Sequence, residues 1–341
     1  MPGPACYGRG GELATVTDAN LVLGRQPARL DLGGDGSLAL DAARADAAVG
    51  AVAGQLGIPP IKAAHSIVAL AEQNMSDTIR QLVLEKGYDV RDFALIAFGG
   101  AGPLHGAAIA RQLGMRCVLV PPAPGNVCAL GALVSDFLAT SRASFNTPLE
   151  QVDIAQLSAL VGAQVADVRS QLVSGPGEQD DVQISVTLSM RYGDQVAGLD
   201  IPIADAATLS ISETTARFRE AYFRVYGDVR EDPVEITHVS VMGRIPRAGR
   251  ANEADGYSSR EPADAPRLRV HLEGWCDAAL IERERIPAGR SLRGPAIITE
   301  PGATTCIFPD QAFVVDARGN LVITPAAAPA PADLPVKEGK Q

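Results

Sequence analysis

The chain contains 341 residues, of which 46% are hydrophobic and 21% are charged. This length and composition allow two globular domains, each with its own core. The formal net charge is -10, and the acidic residues are spread along the chain, which argues against nucleic acid as a partner. No stretch approaches the roughly 20 apolar residues that a membrane span requires, so we expect no membrane association.

The cysteines and histidines show no metal-ligand spacing. The five cysteines are widely separated and lack a C-x-x-C pair, so we expect a cytoplasmic protein. Cys6 and Cys128 have no basic cluster beside them, and we predict that both thiols are buried and inert. No two histidines have the i, i+4 spacing of a helical metal site, and we expect no metal site in the chain. The histidines are His65, His105, His238 and His271.

The beginning of the chain predicts loop followed by a long helix. Residues 1–36 are rich in glycine and proline, which predicts loop with one short strand near residues 14–17. Apolar residues then recur at helical spacing from Ile61 to about Lys86. Gly87 is placed to end that helix.

A βαβ unit follows the long helix. The apolar run at 93–98 predicts a strand covered on both faces. Residues 104–113 predict a helix, and residues 116–121 predict a second, parallel strand. The segment at 126–138 predicts another helix, with Asn126 as its N-cap.

The pattern changes in the second half of the chain. A helix is predicted between residues 148 and 172, followed by a loop at 174–181. From residue 182, apolar residues alternate with polar ones, which predicts strands, and one helix at about 212–225 interrupts them. The predicted strands lie within 182–192, 198–203, 234–245, 267–274, 294–309 and 311–323. Residues 326–341 are rich in proline and alanine, which predicts a disordered tail.

The sharpest local feature is the turn after the run at 93–98. It contains Gly99, Gly100, Ala101, Gly102 and Pro103. Small residues let backbone N–H groups approach a ligand, and ligands of open α/β sheets bind beyond the carboxyl ends of the strands. A nucleotide is therefore a candidate ligand. The turn matches neither G-x-G-x-x-G nor the Walker lysine loop, and tight packing alone is the alternative explanation.

Several segments in order resemble the hydantoinase A and 5-oxoprolinase family. They are GPACYGRGG (3–11), TVTDANLVLGR (15–25), KGYDVRDFALIAFGGAGPLHG (86–106), LVPPAPGNVCALGAL (119–133), MRYGDQ (190–195), FREAYFRVYG (218–227) and the run from GPAIITEPG to NLVI (294–323). The resemblance covers nearly the whole chain. It extends to the ATP-using subunits of acetone and acetophenone carboxylases.

The resemblance implies an α/β fold with two domains. Residues 1–147 would be the carboxyl-terminal portion of an actin-like ATPase domain, of the kind found in sugar kinases and heat-shock proteins. Residues 148–325 would be the family's β-rich carboxyl-terminal domain. Carried over by position, Gly99, Gly100, Ala101 and Gly102 would line the adenosine and phosphate pocket. Gly125 and Asn126 would be second-rank candidates on the next turn.

The resemblance also implies a reaction. Such subunits use ATP, with Mg²⁺, to phosphorylate the oxygen of a cyclic amide or of a ketone enolate. Hydrolysis or carboxylation then follows on a hydantoinase B-type partner subunit. No catalytic residue can be assigned from the motifs.

One departure from the family limits that expectation. The two phosphate-binding turns that the family carries upstream of GPACYG have no counterpart in this sequence, so we expect the chain alone to be a poor kinase. Two alternatives to an active subunit therefore stay open. The chain could be a non-catalytic truncated remnant, or a docking subunit whose ATP site is completed in trans by a separate amino-terminal polypeptide.

Four further residues have structural interpretations that we favour. Asp18 is interpreted as a turn or N-cap residue rather than a catalytic carboxylate. Asn74 lies near the apolar stripe of the long helix, where we expect it to cap a neighbouring loop rather than to touch substrate. Arg191 and Tyr192 open the MRYGDQ segment and are expected to fix a domain or subunit contact.

Overall fold

The structure, a computed structural model, describes four stretches of the chain: residues 3–33, 36–173, 182–246 and 265–326. The predicted loop at 174–181 lies outside them, as does the predicted tail at 326–341 except for Ala326. None of the described helices combines the length and the apolar character that a bilayer crossing requires.

The described residues form seven α-helices, five short 3₁₀ helices and fifteen strands. Up to residue 135 the α-helices and strands are α1 (Val16–Val22), β1 (Arg29–Gly33), β2 (Gly36–Ala39), α2 (Ala42–Leu56), α3 (Pro60–Leu84), β3 (Leu95–Ile96), α4 (Gly102–Leu113), β4 (Val118–Val120) and α5 (Val127–Val134). The middle of the chain contains β5 (Phe137–Pro148), α6 (Ile154–Val173), β6 (Gln183–Tyr192), β7 (Leu199–Ile203), α7 (Ile211–Tyr226) and β8 (Val234–Ile245). The last elements are β9 (Arg267–His271), β10 (Trp275–Glu282), β11 (Leu292–Arg293), β12 (Ala296–Glu300), β13 (Ala303–Ile307), β14 (Gln311–Val315) and β15 (Leu321–Pro325). This mixture confirms the predicted α/β class.

The chain divides into two compact units, and the first of them is built from two segments that are separated in the sequence by the second. The first contains the residues up to 132 and the described residues from 265 onward, and the second contains residues 133–246 of the described chain. Strand β4 pairs in parallel with β3, as predicted for the βαβ unit, but its other neighbour is the antiparallel strand β15 from the end of the chain. Strands near the end of the chain thus complete a sheet that begins before residue 100. The family domain boundaries at 147 and 325 stay predictions, since this division in space is a different one.

Two larger sheets and one helical group build the first unit. The five-stranded sheet has the order β11-β14-β15-β4-β3, and the four-stranded sheet has the order β13-β12-β10-β9. Helix α4 packs between strands of both, and nine of its twelve residues are buried. A separate small core joins α1, α2 and α3 through alanines and valines. The side chains of this core are small or branched aliphatics.

Helix α3 shows how the sequence sets its own limits. Proline at position 60 occupies the first helical position, where no N–H is required. At the other end Gly87 adopts φ 73°, and its N–H donates to the carbonyl of Leu84 while the N–H of Tyr88 donates to that of Val83. This left-handed closure favours glycine, and it confirms the predicted role of Gly87.

The second unit is an antiparallel sheet with two helices. Its strand order is β5-β8-β6-β7, and α6 and α7 belong to the same hydrophobic core. Leu157, Tyr192 and Phe218 are fully buried in that core. The period-two runs that predicted β6, β7 and β8 are confirmed, because each strand places alternate residues in this core.

Two local predictions near the turns were wrong. Residues 14–17 contain the N-cap Thr15 and the first two residues of α1 instead of a strand, because the Thr15 hydroxyl accepts the Asp18 N–H while the Asp18 carboxylate accepts the Thr15 N–H. This capping box outweighs the short extended pattern. The helix predicted at 126–138 ends at Val134, and Phe137 already pairs in β5 opposite Ile245.

The apolar run at 93–98 is not covered on both faces. Only Leu95 and Ile96 form a strand, and it lies at the edge of the five-stranded sheet. Ile96 and Phe98 are 58% and 44% exposed, whereas Ala97 is buried. A continuous apolar run in the sequence therefore does not ensure that both faces of the strand are buried by other described residues.

Candidate functional site

The turn between β3 and α4 depends on glycine at two positions. Gly99 adopts φ 84°, and its N–H donates to the carbonyl of Pro124 at 2.7 Å. Gly106, one turn into α4, allows the helix to approach the sheet, because a Cβ there would lie 2.8 Å from the Cβ of Ala97. The turn is therefore held in place by the neighbouring turn and by close packing of helix on strand.

Two other turns meet this one. The segment before α5 contains Ala123, a non-glycine residue at φ 47°, and leads to Gly125. The hairpin between β12 and β13 contributes Gly302. A Cβ added to Gly100 would lie 3.4 Å from the Gly302 carbonyl oxygen, and one added to Gly125 would lie 3.3 Å from it. Three backbone turns thus pack with almost no side chain between them.

A large cavity lies beside these turns, entirely within the first unit. Its volume is about 1080 Å³. The turns contribute Gly100, Ala101, Pro122, Ala123 and Pro301 to Thr304 to the lining, and α1 and the residues after it contribute Val16, Thr17, Asn20, Gln26, Pro27 and Arg29. The opposite wall comes from Leu280 and residues 282–285. Known small-molecule and cofactor sites have volumes of about 300–1,000 Å³, so the cavity can hold a ligand of nucleotide size.

A buried ion pair fixes the wall of the cavity. Arg283 donates to the Glu300 carboxylate at 2.6 Å, and both side chains are less than a tenth exposed. The same guanidinium donates to three backbone carbonyls, those of Val120, Pro121 and Gly319. Burial raises the pKa of Glu300, although Arg283 acts in the opposite direction. The pair therefore ties β12 to the turn after β4.

The charged lining carries no excess of positive charge. Arg29, Arg283 and Arg285 are matched by Glu282, Glu284 and Glu300. Among the described residues, no group of three or more histidine, cysteine, aspartate or glutamate side chains is arranged to hold a metal ion. The described lining therefore offers neither concentrated positive charge nor a metal-binding group for a run of phosphates.

A second polar cluster reaches the cavity from behind the glycine turn. His105 lines the cavity, and its Nδ1 lies 3.1 Å from Oε1 of Glu72. The same oxygen lies 3.6 Å from Nη1 of Arg25, whose guanidinium also donates to the carbonyls of His271 and Leu272. Glu72, Arg25 and His105 are all more than nine-tenths buried. The segment after α1, helix α3 and helix α4 are therefore linked by one buried chain of polar side chains.

The predicted pocket residues occupy different positions around the cavity. Gly100 and Ala101 line it, whereas Gly99 and Gly102 shape the turn without lining it. Gly125 packs against Gly302, and Asn126 lies in the short helical turn before α5. Their assignment to a nucleotide stays a prediction.

The residues that sequence reasoning missed come from the far end of the chain. Arg283, Glu300 and Gly302 lie beyond the second unit in the sequence and belong to the first unit in space. The Pro-Gly pair at 301–302 marks a hairpin turn, but nothing in it indicates proximity to Gly100. Glu72 and His105 gave no signal either, since they are 33 residues apart.

The structural interpretation of Asp18 fits its contacts. Its carboxylate is fully buried and accepts the N–H groups of Ala5, Cys6 and Thr15 and the Thr15 hydroxyl. Burial alone would raise the pKa of Asp18, but these hydrogen bonds outweigh it and lower that pKa. The Asp18 carboxylate thus holds the first turn of the chain against α1.

Cys6 and Cys128, both predicted to be buried, differ in their exposure to solvent. Cys6 is buried, and burial together with Asp18 raises the pKa of its thiol to about 12, as expected for an inert cysteine. Cys128 is exposed, so its predicted burial was wrong. Helix α5, which carries it, has no buried residue, because no described element covers its apolar side chains.

Three other predicted residues have local roles. Asn74 is exposed on α3, and the buried polar residues of that helix are Glu72 and Ser76 instead. Arg191 donates to Glu235 at 2.6 Å across β6 and β8, and the Tyr192 hydroxyl donates to the carbonyl of Arg230. The last two contacts lie inside the second unit.

Comparison with known proteins identifies relatives of both halves of the chain. The Hydantoinase/oxoprolinase family model matches residues 1–141, and the Hydantoinase/oxoprolinase C-terminal domain model matches residues 153–319. The caprolactamase alpha subunit of Pseudomonas jessenii is 30% identical over 95% of this chain and 48% of its own length. The acetophenone carboxylase gamma subunit of Aromatoleum aromaticum is 31% identical over 97% of this chain and 47% of its own.

Solved structures agree with the sequence relatives. The crystal structure of the ATP-dependent caprolactamase from Pseudomonas jessenii matches with a TM-score of 0.76 and 27% identity, over 95% of this chain and 48% of that one. A nucleotide-free acetone carboxylase matches with a TM-score of 0.69 and 25% identity, over 94% and 48%. The chain thus spans about half the length of these relatives. The two family models and these structures show that the chain belongs to the hydantoinase/oxoprolinase family.

Proposed function

We propose that this chain is a subunit, or part of a subunit, of an ATP-dependent enzyme that phosphorylates a cyclic amide or a ketone enolate. The hydrolysis or carboxylation that follows would take place on a hydantoinase B-type partner. The observation that carries the proposal is the cavity at which the turns of Gly100, Ala123 and Gly302 meet. The ATP-dependent reactions named for the caprolactamase and acetone carboxylase relatives support it.

The described residues fit one end of a nucleotide better than the other. Gly100, Ala101 and Gly302 offer backbone without bulky side chains, which suits close approach of a ribose or a base. The balanced charge of the lining leaves the triphosphate and Mg²⁺ without a dedicated clamp among the described residues. Mg²⁺ usually binds through phosphates and one or two carboxylates, so it would enter with ATP rather than before it.

Calorimetric titration with Mg-ATP and with Mg-ADP tests the proposal. The Gly100→Val variant adds a branched side chain beside the Gly302 carbonyl, at the cavity wall. Gly54→Val is a matched control, because a Cβ at exposed Gly54 meets nothing within 4 Å. We expect saturable heat from the wild type and from Gly54→Val, and none from Gly100→Val. A folded wild-type chain that gives no heat with either nucleotide would contradict nucleotide binding by this chain.

The edge of the five-stranded sheet favours a second candidate function. Strand β3 has no neighbour on one side among the described strands, and Ile96 and Phe98 are largely exposed there. An apolar sheet edge of this kind is suited to pairing with another polypeptide. The chain would then be a docking subunit whose ATP site is completed in trans by a polypeptide equivalent to the other half of the relatives.

Co-expression separates the two candidates. The chain is produced with a polypeptide that corresponds to the remaining half of the caprolactamase alpha subunit, and the complex is isolated by size-exclusion chromatography. Completion in trans predicts a stable complex that Ile96→Lys disrupts and that binds Mg-ATP more tightly than the chain alone. Equal nucleotide affinity with and without the second polypeptide would contradict it.

A further inference from the structure

The part of the cavity wall formed by the first turn of the chain, by α1 and by the residues after α1 carries side chains with free hydrogen-bonding groups. Tyr7, Thr17 and Gln26 line the cavity there. Their phenol, hydroxyl and carboxamide groups make no hydrogen bond to any described residue, and none of these groups is sealed from solvent. Each is a neutral group that can both donate and accept. This wall therefore offers neutral hydrogen bonds to a ligand.

The opposite wall has less hydrogen-bonding capacity to spare. Arg283 donates to Glu300 and to three backbone carbonyls, and Arg285 donates to Glu282 at 2.7 Å. Glu284 is also engaged in an interaction within the chain. The charges of this wall are therefore committed to one another or to the backbone. An uncharged polar group of a ligand finds its free partners on the wall that carries Gln26.

The backbone that carries Gln26 is fixed from both sides. The carbonyl of Asn20 accepts the N–H of Arg25 at 2.9 Å and that of Gln26 at 3.3 Å. The buried guanidinium of Arg25 is held by Glu72 and by two backbone carbonyls. Pro27 restricts the residue before it to extended conformations. A side chain that only meets solvent does not require such a frame, whereas a recognition group binds better when it is fixed before the ligand arrives.

The carboxamide of Gln26 presents an acceptor and a donor side by side. A secondary amide in an open chain is trans, so its N–H and its carbonyl point in opposite directions. A small lactam ring holds the same amide cis, with the N–H and the carbonyl on one side. We propose that Gln26 binds the cis amide of a lactam through two antiparallel hydrogen bonds and so selects cyclic amides over ketones. The choice of a lactam as the ligand rests on the proposed function.

The pairing sets a preference among the proposed substrates. A lactam donates its N–H to Oε1 of Gln26, and its carbonyl oxygen accepts from Nε2. A ketone of the same ring size has no N–H and leaves Oε1 without a donor. A site that hydrogen-bonds an N–H rejects an analogue that lacks it, because a polar group of the site is then left unpaired. No proton is transferred and no charge is required, so the preference does not depend on the ionisation of any group at the cavity.

The edge of a nucleobase also presents a donor and an acceptor side by side. The turns of Gly100, Ala101 and Gly302 contribute a different part of the lining, where backbone without bulky side chains suits the base and the ribose. With about 1080 Å³, the cavity is at the upper limit of the size of a site for one ligand, so a small ring has room beside a nucleoside. The wall of Gln26 is therefore assigned to the lactam, and the test below includes the base as the other source of the same chemistry.

Ring compounds of one size measure the pairing. ε-Caprolactam carries both groups of the amide, N-methylcaprolactam lacks the N–H, and cycloheptanone has the carbonyl group alone. Their affinities for the full chain are measured by ligand-observed NMR titration, and the affinity for Mg-ADP is measured by calorimetry. Gln26→Leu keeps much of the bulk of the side chain and removes both hydrogen-bonding groups. Gln55→Leu is the matched control, because Gln55 is exposed on α2 and does not line the cavity.

We expect the wild type and Gln55→Leu to bind ε-caprolactam about tenfold more tightly than either analogue, as neutral hydrogen bonds allow. Gln26→Leu should bind the three compounds alike and bind Mg-ADP as the wild type does. Equal binding of the three by the wild type, or a preference that persists in Gln26→Leu, overturns this inference, and Mg-ADP binding then leaves the proposed function standing. Weaker Mg-ADP binding by Gln26→Leu with an unchanged lactam preference places the base at this wall and also overturns it. Absence of Mg-ADP binding contradicts the proposed function, and the lactam series still decides the inference.

Discussion

Replacing Arg283 with methionine should destabilise the first unit strongly. Methionine can fill the volume of the aliphatic stem, but it removes the guanidinium donors from four acceptors. They are the Glu300 carboxylate at 2.6 Å and the carbonyls of Val120 at 2.7 Å, Pro121 at 2.9 Å and Gly319 at 2.5 Å. Arg283 and Glu300 side chains are only 5% and 7% exposed, so water cannot easily replace the lost donor.

The expected magnitude follows from that burial. Breaking a buried ion pair by removing one partner costs about 3–5 kcal/mol, because the remaining charge is left uncompensated. Arg224→Ala is the control, since Arg224 pairs with Glu220 on the surface of α7 with both side chains about three-quarters exposed. An exposed pair of this kind contributes less than about 0.5 kcal/mol. The two variants each remove one arginine and one ion pair but differ in burial.

Urea unfolding followed by tryptophan fluorescence measures the effect. Trp275 is the only tryptophan of the chain and lies in β10 of the first unit, so its signal reports that unit. Far-UV circular dichroism of the same samples also follows the helices of the second unit, including α7, which carries Arg224. With a denaturant slope of about 2 kcal/mol/M, the midpoint for Arg283→Met should fall by about 1.5–2.5 M. The midpoint for Arg224→Ala should not change measurably.

The loss of stability in Arg283→Met should also depend on pH. Burial raises the pKa of Glu300 above its ordinary value, and without Arg283 it would rise further. A carboxyl group whose pKa is higher in the folded state binds more protons when folded, so stability increases as the pH falls through that raised pKa. Arg283→Met should therefore recover part of its stability between about pH 8 and about pH 5. The reasoning is refuted if its midpoint matches that of Arg224→Ala, or if its deficit is the same at both pH values.

Three smaller predictions follow from other contacts. Gly106→Val should lower the melting temperature by the equivalent of about 1–3 kcal/mol, because its Cβ would lie 2.8 Å from that of Ala97; an unchanged melting curve would contradict the close packing. A thiol reagent should modify Cys128 rapidly in the native chain and Cys6 only after unfolding, so Cys128→Ser should remove the fast phase. Asp18→Asn should destabilise the chain by about 2–3 kcal/mol at neutral pH. Because the pKa of Asp18 is lowered by folding, wild-type stability should drop as the pH falls from the ordinary aspartate value through the folded one, and the variant should lack that component.

Local sequence signals predicted the elements that depend on neighbouring residues. The glycine at 87 and the apolar spacing before it defined α3, and the alternating runs defined β6, β7 and β8. These predictions held because a helix cap or a strand face is set within a few residues. The strand expected at 14–17 failed because a capping box is also local and stronger.

The candidate site was only partly accessible to such signals. The turn at Gly99–Pro103 was visible because a glycine-rich segment after an apolar run is unusual at any place in a chain. Other residues that line the same cavity, such as Arg283 and Glu300, lie near the end of the chain, and no local sequence pattern marks them. Arg283 reaches the carbonyl of Val120 across 163 residues, and no spacing rule connects positions so far apart.

The sequence by itself determined the α/β class, most helices and strands, the glycine turn and, through its motifs, the family. Those properties depend on backbone preference, on apolar period and on the order of short motifs, all of which can be read along the chain. The tertiary structure alone decided that β15 pairs with β4, that Gly302 packs on Gly100 and Gly125, and that His105 meets Glu72 beside the cavity. These contacts arise because burial and hydrogen bonding act between surfaces that meet only when the chain has folded.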